Sequence, residues 1–278
     1  MAGETMIPTW LRTIRCLLFD VDGVLYRGNQ PLPGAREIVL LLEERGLPYM
    51  LLTNNATGTP AQYAAKLAAM GIPVPAERIF TSGEATALYL KKQEPAGAPV
   101  YVIGEAGLIE PLERAGFWRV ERGARYVCVG LDRQLTYEKL KRACLEIRAG
   151  ARFIASNPDT TLPTEEGIVP GNGATLAALV ACTDVRPTVI GKPEATMLLL
   201  AIERLGVSPA ETLIIGDRWD TDLLAGHRAG TRTVLVLTGI HQPADLVHSP
   251  VQPDLIVDDL VVFRQTLAEA WAESPETR

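Results

Sequence analysis

The sequence predicts an α/β protein built on a parallel sheet, with a second α/β domain inserted into the first. Three observations carry this expectation. Short apolar runs alternate with longer helical ones at both ends of the chain, the pattern of right-handed βαβ crossovers. A middle stretch of roughly a hundred residues repeats that pattern with turns of its own. The 278 residues, 47% apolar and 22% charged, have ordinary globular composition and suit one large α/β domain or two modest ones.

Taken in order, residues 16–19 (CLLF) read as a buried strand. Residues 35–45 read as a helix, with Pro33-Gly34 ahead of it and Gly46 just past its end, where a left-handed residue is needed. A strand at 49–52 (YMLL) and a helix at 61–70 come next, the helix closed by Gly71. In the second half, a helix at 195–205 precedes Gly206. A strand at 213–215 (LII) leads into a helix at 221–229 and then Gly230. Residues 233–237 and 255–257 are further strands. The middle supplies strands at 100–103, 126–129 and 153–155, and helices at 105–115, 137–149 and 174–181. Its turns fall at Asn157-Pro158-Asp159 and Pro170-Gly171-Asn172-Gly173. The expected division is a core of 1–81 and 187–278 with an inserted domain of 82–186. The closing ESPETR is expected to fray.

Composition excludes several classes of function. The net charge of −6 opposes a nucleic-acid partner, which demands a basic face to displace counterions. No apolar run is long enough to span a membrane, and the first fifteen residues (MAGETMIPTWLRTIR) lack the apolar centre of a signal peptide. The four cysteines, Cys16, Cys128, Cys144 and Cys182, form no C-x-x-C pair and lie in or beside apolar runs. They read as small core residues in a reduced, cytoplasmic compartment. His227, His241 and His248 are too scattered for a zinc site.

Ligands of open parallel sheets bind at the carboxyl ends of the strands, so the residues just past each apolar run are the first candidates for a site. Asp20-Val21-Asp22-Gly23 comes after the first run. Thr53-Asn54-Asn55 comes after 49–52, Gly191-Lys192-Pro193 after 188–190, and Gly216-Asp217, with Asp220 and Asp222, after 213–215. Four polar clusters are thus expected on one rim. Crowded carboxylates repel, and Mg2+, which takes oxygen ligands, relieves the repulsion. Asp20 and Asp217 are the expected side-chain ligands. Asp22 contributes its backbone carbonyl and keeps its carboxyl for proton transfer. A carboxylate held by Mg2+ can attack phosphorus, and a second carboxyl can protonate the leaving oxygen and then deprotonate water. Thr53 and the backbone N–H of Asn54 suit phosphoryl oxygens, and Lys192 balances charge. A phosphate-binding module without turnover is the alternative of another class.

D-V-D-G-V at 20–24, T-N-N at 53–55, G-K-P at 191–193 and G-D-R-W-D-T-D at 216–222 resemble, in order and spacing, the four motifs of the haloacid dehalogenase (HAD) superfamily. The insertion between the second and third motifs resembles the α/β cap of subclass IIA, whose members include 4-nitrophenylphosphatases and phosphoglycolate, pyridoxal phosphate and ribonucleotide phosphatases. Gly130-Leu131-Asp132, Leu135-Thr136-Tyr137, 155–159 and 170–173 match as well, so the likeness spans about residues 14 to 265. It implies a Rossmann-like core with a C2-type cap and a phosphatase acting on small phosphomonoesters through an aspartyl phosphate. Asp20 is then the nucleophile and Asp22 the general acid/base. Thr53, Asn54 and Lys192 bind phosphate. Asp20, Asp22 and Asp217 are metal ligands, and Asp222 supports the metal. Asn157, Asp159 and Asn172 are candidate cap contacts to the substrate, and Arg218 and Trp219 narrow the rim. The resemblance also implies a homodimer through the cap. Mutase relatives usually place a helical cap between the first two motifs, an interval of only about thirty residues here, which makes a phosphotransferase or mutase the lesser alternative.

Overall fold

A computed structural model describes residues 7–164 and 166–272; the expectation for the closing ESPETR lies outside them. In chain order the first elements are β1 (Cys16–Asp20), β2 (Tyr26–Arg27), β3 (Gln30–Pro31), α1 (Ala35–Glu44), β4 (Tyr49–Thr53), α2 (Pro60–Ala69), β5 (Ile79–Thr81) and α3 (Ser82–Gln93). Next come β6 (Pro99–Ile103), α4 (Ala106–Arg114), β7 (Trp118–Arg119), β8 (Tyr126–Val129), α5 (Tyr137–Arg148), β9 (Arg152–Ala155), β10 (Thr161–Thr164), β11 (Gly167–Pro170) and α6 (Asn172–Thr183). The chain then runs through β12 (Thr188–Val189), α7 (Thr196–Leu205), β13 (Thr212–Gly216), a π-type turn (Trp219–Leu223), α8 (Leu224–Ala229), β14 (Arg232–Val236), β15 (Leu255–Val257) and α9 (Leu260–Ala272).

These elements form two compact units. One takes in the described residues of Met1–Leu51, Leu67–Val74 and Ile202–Arg278, the other Leu52–Lys66 and Pro75–Ala201. In the first, strands run in the order β15-β14-β13-β1-β4. β1 and β13 pair in parallel from Cys16 opposite Thr212 to Phe19 opposite Ile215. β13–β14 and β14–β15 are parallel too. Every residue of β1 and β13 is buried, as expected for central parallel strands covered on both faces. α1 follows the helical period: Ala35, Ile38, Val39 and Leu42 are its buried positions, one stripe facing the core. At its start Gly34 is left-handed (φ 81°), and a Cβ there would stand 2.5 Å from the backbone nitrogen of Val261, so only glycine fits.

The second unit holds a parallel sheet in the order β12-β9-β8-β6-β7 and the antiparallel hairpin β10–β11. Tyr101 and Ile103, Val127 and Val129, and Phe153 and Ala155 line one face of the sheet. They pack with Ala143 and Ile147 of α5 and Leu176 and Leu179 of α6. Alternate residues of three strands thus meet one helical layer. The Thr136 hydroxyl caps α5 by accepting from the Lys139 N–H.

The structure corrects several expectations. The strand ahead of Gly191-Lys192-Pro193 pairs with β9, Thr188 opposite Ile154, so that cluster does not follow a strand of the sheet that carries β1 and β13. Register between distant strands decided this, and apolar runs do not encode it. Pro170-Gly171-Asn172-Gly173 is no turn: Pro170 ends β11 and Asn172 opens α6. Only Cys16 and Cys128 are core cysteines. Cys144 is half-buried against the core of the second unit and Cys182 is exposed.

Candidate active site

The register of β1 against β13 builds the acidic part of the site. With Phe19 opposite Ile215, Asp20 ends its strand where Gly216-Asp217 ends the neighbouring one. The next turn is wound with one residue too many. The N–H groups of Asp222 and Leu223 both reach the Arg218 carbonyl, at 3.0 and 3.2 Å, the i+5 bond of a π-bulge, a feature frequent at functional sites. This winding brings Asp222 back to the strand end. The carboxylates of Asp20, Asp217 and Asp222 each place an oxygen within 4.8 Å of the others.

All three are nearly closed off from solvent, Asp217 at 2% and Asp222 at 1% exposure. Hydrogen bonds hold Asp217 and Asp222. The Ile240 N–H donates to Asp217 Oδ2 at 2.8 Å, and the Arg218 N–H and Thr221 hydroxyl donate to Asp222 Oδ2 at 3.2 and 3.3 Å. Glycines make the room: a Cβ on Gly216 would fall 2.2 Å from the Asp222 Cβ, and one on Gly23 2.5 Å from Asp217 Oδ2. Three buried carboxylates at this spacing are a poor arrangement on their own. They suit a hard divalent cation, since opposite oxygens around Mg2+ stand about 4 Å apart. The Asp22 side chain is exposed, and its backbone forms a bridge with Tyr26.

Beside the cluster, the Arg218 guanidinium forks onto Asp220 at 2.9 and 2.8 Å. Burial pushes the Asp220 carboxyl up, but the Arg218 hydrogen bonds and charge outweigh it and hold the carboxyl below its ordinary range. Asp220 is half-buried and paired. Trp219 packs against Leu223, Leu235, Leu246 and Val251 and stacks on His241 at 5.5 Å.

The second unit holds the expected phosphate binders. Thr53 ends β4 and Asn54 comes just after it; both are buried, as is Lys192, at 2% exposure. The Asn54 amide pairs with the Lys192 backbone as a peptide group would: Nδ2 donates to the Lys192 carbonyl at 2.8 Å and Oδ1 accepts from its N–H at 2.9 Å. The same Nδ2 lies 3.2 Å from both Asp159 oxygens. The Asn54 carbonyl accepts from the Ser82 hydroxyl (2.5 Å) and Asn157 Nδ2 (2.7 Å). Asn172 Nδ2 donates to the carbonyls of Asn157 (2.6 Å) and Val129 (3.3 Å). Lys192 Nζ lies 3.4 Å from the Leu52 carbonyl. Thus Asn54, Lys192, Asn157, Asp159 and Asn172, spread over almost 140 positions, share one network.

Sequence reasoning missed Ser82 and the segment 238–241. Ser82 lay in a stretch with no assigned element. Thr238-Gly239 comes after a strand, as the motifs do, but carries no carboxylate or lysine to draw notice.

Comparison with known proteins places the chain in a family. A family model described as haloacid dehalogenase-like hydrolase matches residues 17–118, and a second, HAD-hydrolase-like, matches residues 189–262. A 5'-nucleotidase from Bacillus subtilis is 41% identical over 250 residues, covering 90% of this chain and 97% of the relative. An acid sugar phosphatase from Staphylococcus aureus is 39% identical over 251 residues, covering 90% and 96%. The crystal structure of a 4-nitrophenylphosphatase from Thermotoga maritima superposes with a TM-score of 0.87 at 34% identity, covering 92% of this chain and 98% of that one.

Proposed function

The chain belongs to the haloacid dehalogenase superfamily as a phosphatase of subclass IIA, and from that premise we propose that it hydrolyses small phosphomonoesters with Mg2+ through an aspartyl phosphate on Asp20. The observation that carries the reading is the convergence of the Asp20, Asp217 and Asp222 carboxylates within 4.8 Å, at the end of the strand that bears the nucleophile.

In this reading Asp20, Asp217 and the Asp22 backbone carbonyl would hold Mg2+, with Asp222 in support. When bound, the ion neutralises phosphoryl charge and offsets the repulsion among the carboxylates. A carboxylate oxygen of Asp20 attacks phosphorus as the bond to the ester oxygen breaks, and the Asp22 carboxyl gives that oxygen its proton. Water then attacks the phosphorus of the acyl phosphate and yields a proton to Asp22. Inorganic phosphate leaves, and the Asp20 carboxylate is restored. Asp22 is the exposed member of the set, which suits a group that must exchange protons with solvent. Thr53 and the Asn54 N–H hold phosphoryl oxygens, and Lys192 offsets their charge.

The proposed domain division is a core of 1–81 and 187–278 with 82–186 inserted, a range that contains α3–α6 and β6–β11. Within the insert, Asp159 is the side chain assigned to the substrate's leaving group, and Asn157 and Asn172 hold the loop that carries it. The names of the relatives point to nucleoside monophosphates and sugar phosphates as first substrates to try. Exposed Tyr137 and Ile168 offer apolar surface to a second copy, and the reading includes a homodimer through the insert. Four free cysteines suit a reducing cytoplasm; among the described residues no helix is long and apolar enough to cross a membrane.

The test is phosphate release, with and without Mg2+, from a panel of nucleoside monophosphates, sugar phosphates, phosphoglycolate, pyridoxal phosphate and 4-nitrophenyl phosphate. Wild type is expected to turn over only with the metal, and Asp20→Asn to lose at least about a thousandfold in kcat. Equal activity in Asp20→Asn would sink the covalent mechanism. No release from any ester would leave a binding module.

A further inference from the structure

We infer that Thr238-Gly239-Ile240-His241 is a positioning segment that fixes the Asp217 carboxylate and the loop after Asp20 in metal-binding geometry. This inference rests on the proposed function, in which that carboxylate is a Mg2+ ligand. The segment comes after β14 and touches both metal-bearing loops of the first unit. On one side the Ile240 N–H donates to Asp217 Oδ2 at 2.8 Å, and the His241 N–H donates to the Asp217 carbonyl at 3.1 Å. His241 Nδ1 accepts from the Trp219 N–H at 3.0 Å, and its ring stacks on the indole, so the start of the π-type turn is pinned too. On the other side the Thr238 hydroxyl donates to the Gly23 carbonyl at 2.7 Å, and the Arg27 guanidinium donates to the Thr238 carbonyl.

Gly239 sits at the centre. A Cβ there would lie 1.9 Å from Asp217 Oδ2, 2.2 Å from its Cβ and 2.3 Å from its Cγ. No side chain fits unless the carboxylate moves. The terminal torsion of an aspartate is broad and nearly two-fold. A hydrogen bond to one oxygen and a backbone wall against the same oxygen therefore select one rotation out of many. Outer-shell groups of this kind orient metal ligands, and their loss typically costs about 10- to 100-fold in metal affinity.

The experiment is calorimetric titration of Mg2+ into wild type, Gly239→Ala, Thr238→Val and His241→Ala, with thermal melts in the absence of metal. Gly239→Ala is expected to raise the Mg2+ Kd by about 10- to 100-fold and to regain activity at high Mg2+. Thr238→Val and His241→Ala are expected to raise the Kd by about threefold or more at an unchanged melting temperature. Should Gly239→Ala fail to fold, the other two decide. Wild-type Kd in folded variants, or a lowered melting temperature with the Kd unmoved, overturns the assignment and leaves the segment merely structural. A wild type that binds no Mg2+ would instead overturn the metal reading on which the assignment rests.

Discussion

Asn54 ties the end of β4 to a lysine 138 positions further on, using both halves of one side-chain amide. Aspartate has nearly the same shape but only acceptors. Asn54→Asp would set a carboxylate against the Lys192 carbonyl and beside half-buried Asp159, removing the donor that the two share. It is expected to cost about 2–4 kcal/mol of stability, more than Asn54→Ala, as measured by urea unfolding; equal costs for the two would mean that the amide is not the tie. Thr53-Asn54-Asn55 was legible in the sequence as a polar cluster at the end of a strand. The tie was not, because its partners, Asp159 and Lys192, lie more than a hundred residues away. Asp22 shows the converse: its proposed role was read from spacing alone, two residues past Asp20.

α9, whose buried Leu260, Phe263, Leu267 and Ala270 make an apolar stripe, was missed, but several elements with a clean apolar stripe or a continuous apolar run were legible to within two residues. α1 and β8 are examples, each with its buried face written in sequence. α3 was not, since apart from Leu90 its buried face consists of Ser82, Gly83, Ala85, Thr86 and Ala87, small or polar residues that make no apolar stripe. There close approach replaces side-chain bulk: a Cβ on Gly83 would meet the Gly107 carbonyl at 1.9 Å. The hairpin β10–β11 exposes Ile168 and so lacks the alternation that marks a half-buried strand. At the head of α4, Glu105 accepts from the Arg133 side chain at 2.8 and 2.6 Å and from its N–H at 3.0 Å. The Arg133 hydrogen bonds hold the Glu105 carboxyl below its ordinary range against a smaller opposing effect of burial. A carboxyl depressed in the folded state contributes stability above its unfolded pKa and loses it as pH falls through the folded value. Arg133 is well exposed, so screening limits the effect. Glu105→Gln is expected to cost about 0.5–1 kcal/mol at pH 7 and nothing in strong acid, by denaturation at both pH values. A cost that persists in acid would show that packing, not charge, was lost.

At the scale of the whole molecule, burial sorts the cysteines. Burial pushes the Cys128 thiol up to about 12, so at pH 8 it is protonated as well as enclosed, whereas Cys182 lies on the surface. Iodoacetamide on the native protein is expected to label Cys182 first and to reach Cys16 and Cys128 only on unfolding, as peptide mapping by mass spectrometry would reveal. Labelling of Cys128 as fast as Cys182 would show that the second sheet opens readily. The alternation of strands and helices announced two α/β regions, but which sheet a strand joins is a matter of long-range pairing, as Thr188 opposite Ile154 shows. The same kind of pairing sets the terms on which the metal is met. Asp20 and Asp217 stand about two hundred residues apart along the chain, and bringing such distant points together is an entropic cost of folding. Here the parallel ladder from Cys16–Thr212 to Phe19–Ile215 has already closed that loop. Where a zinc finger collapses without its ion, chelation here is expected to remove the proposed chemistry and leave the sheet standing.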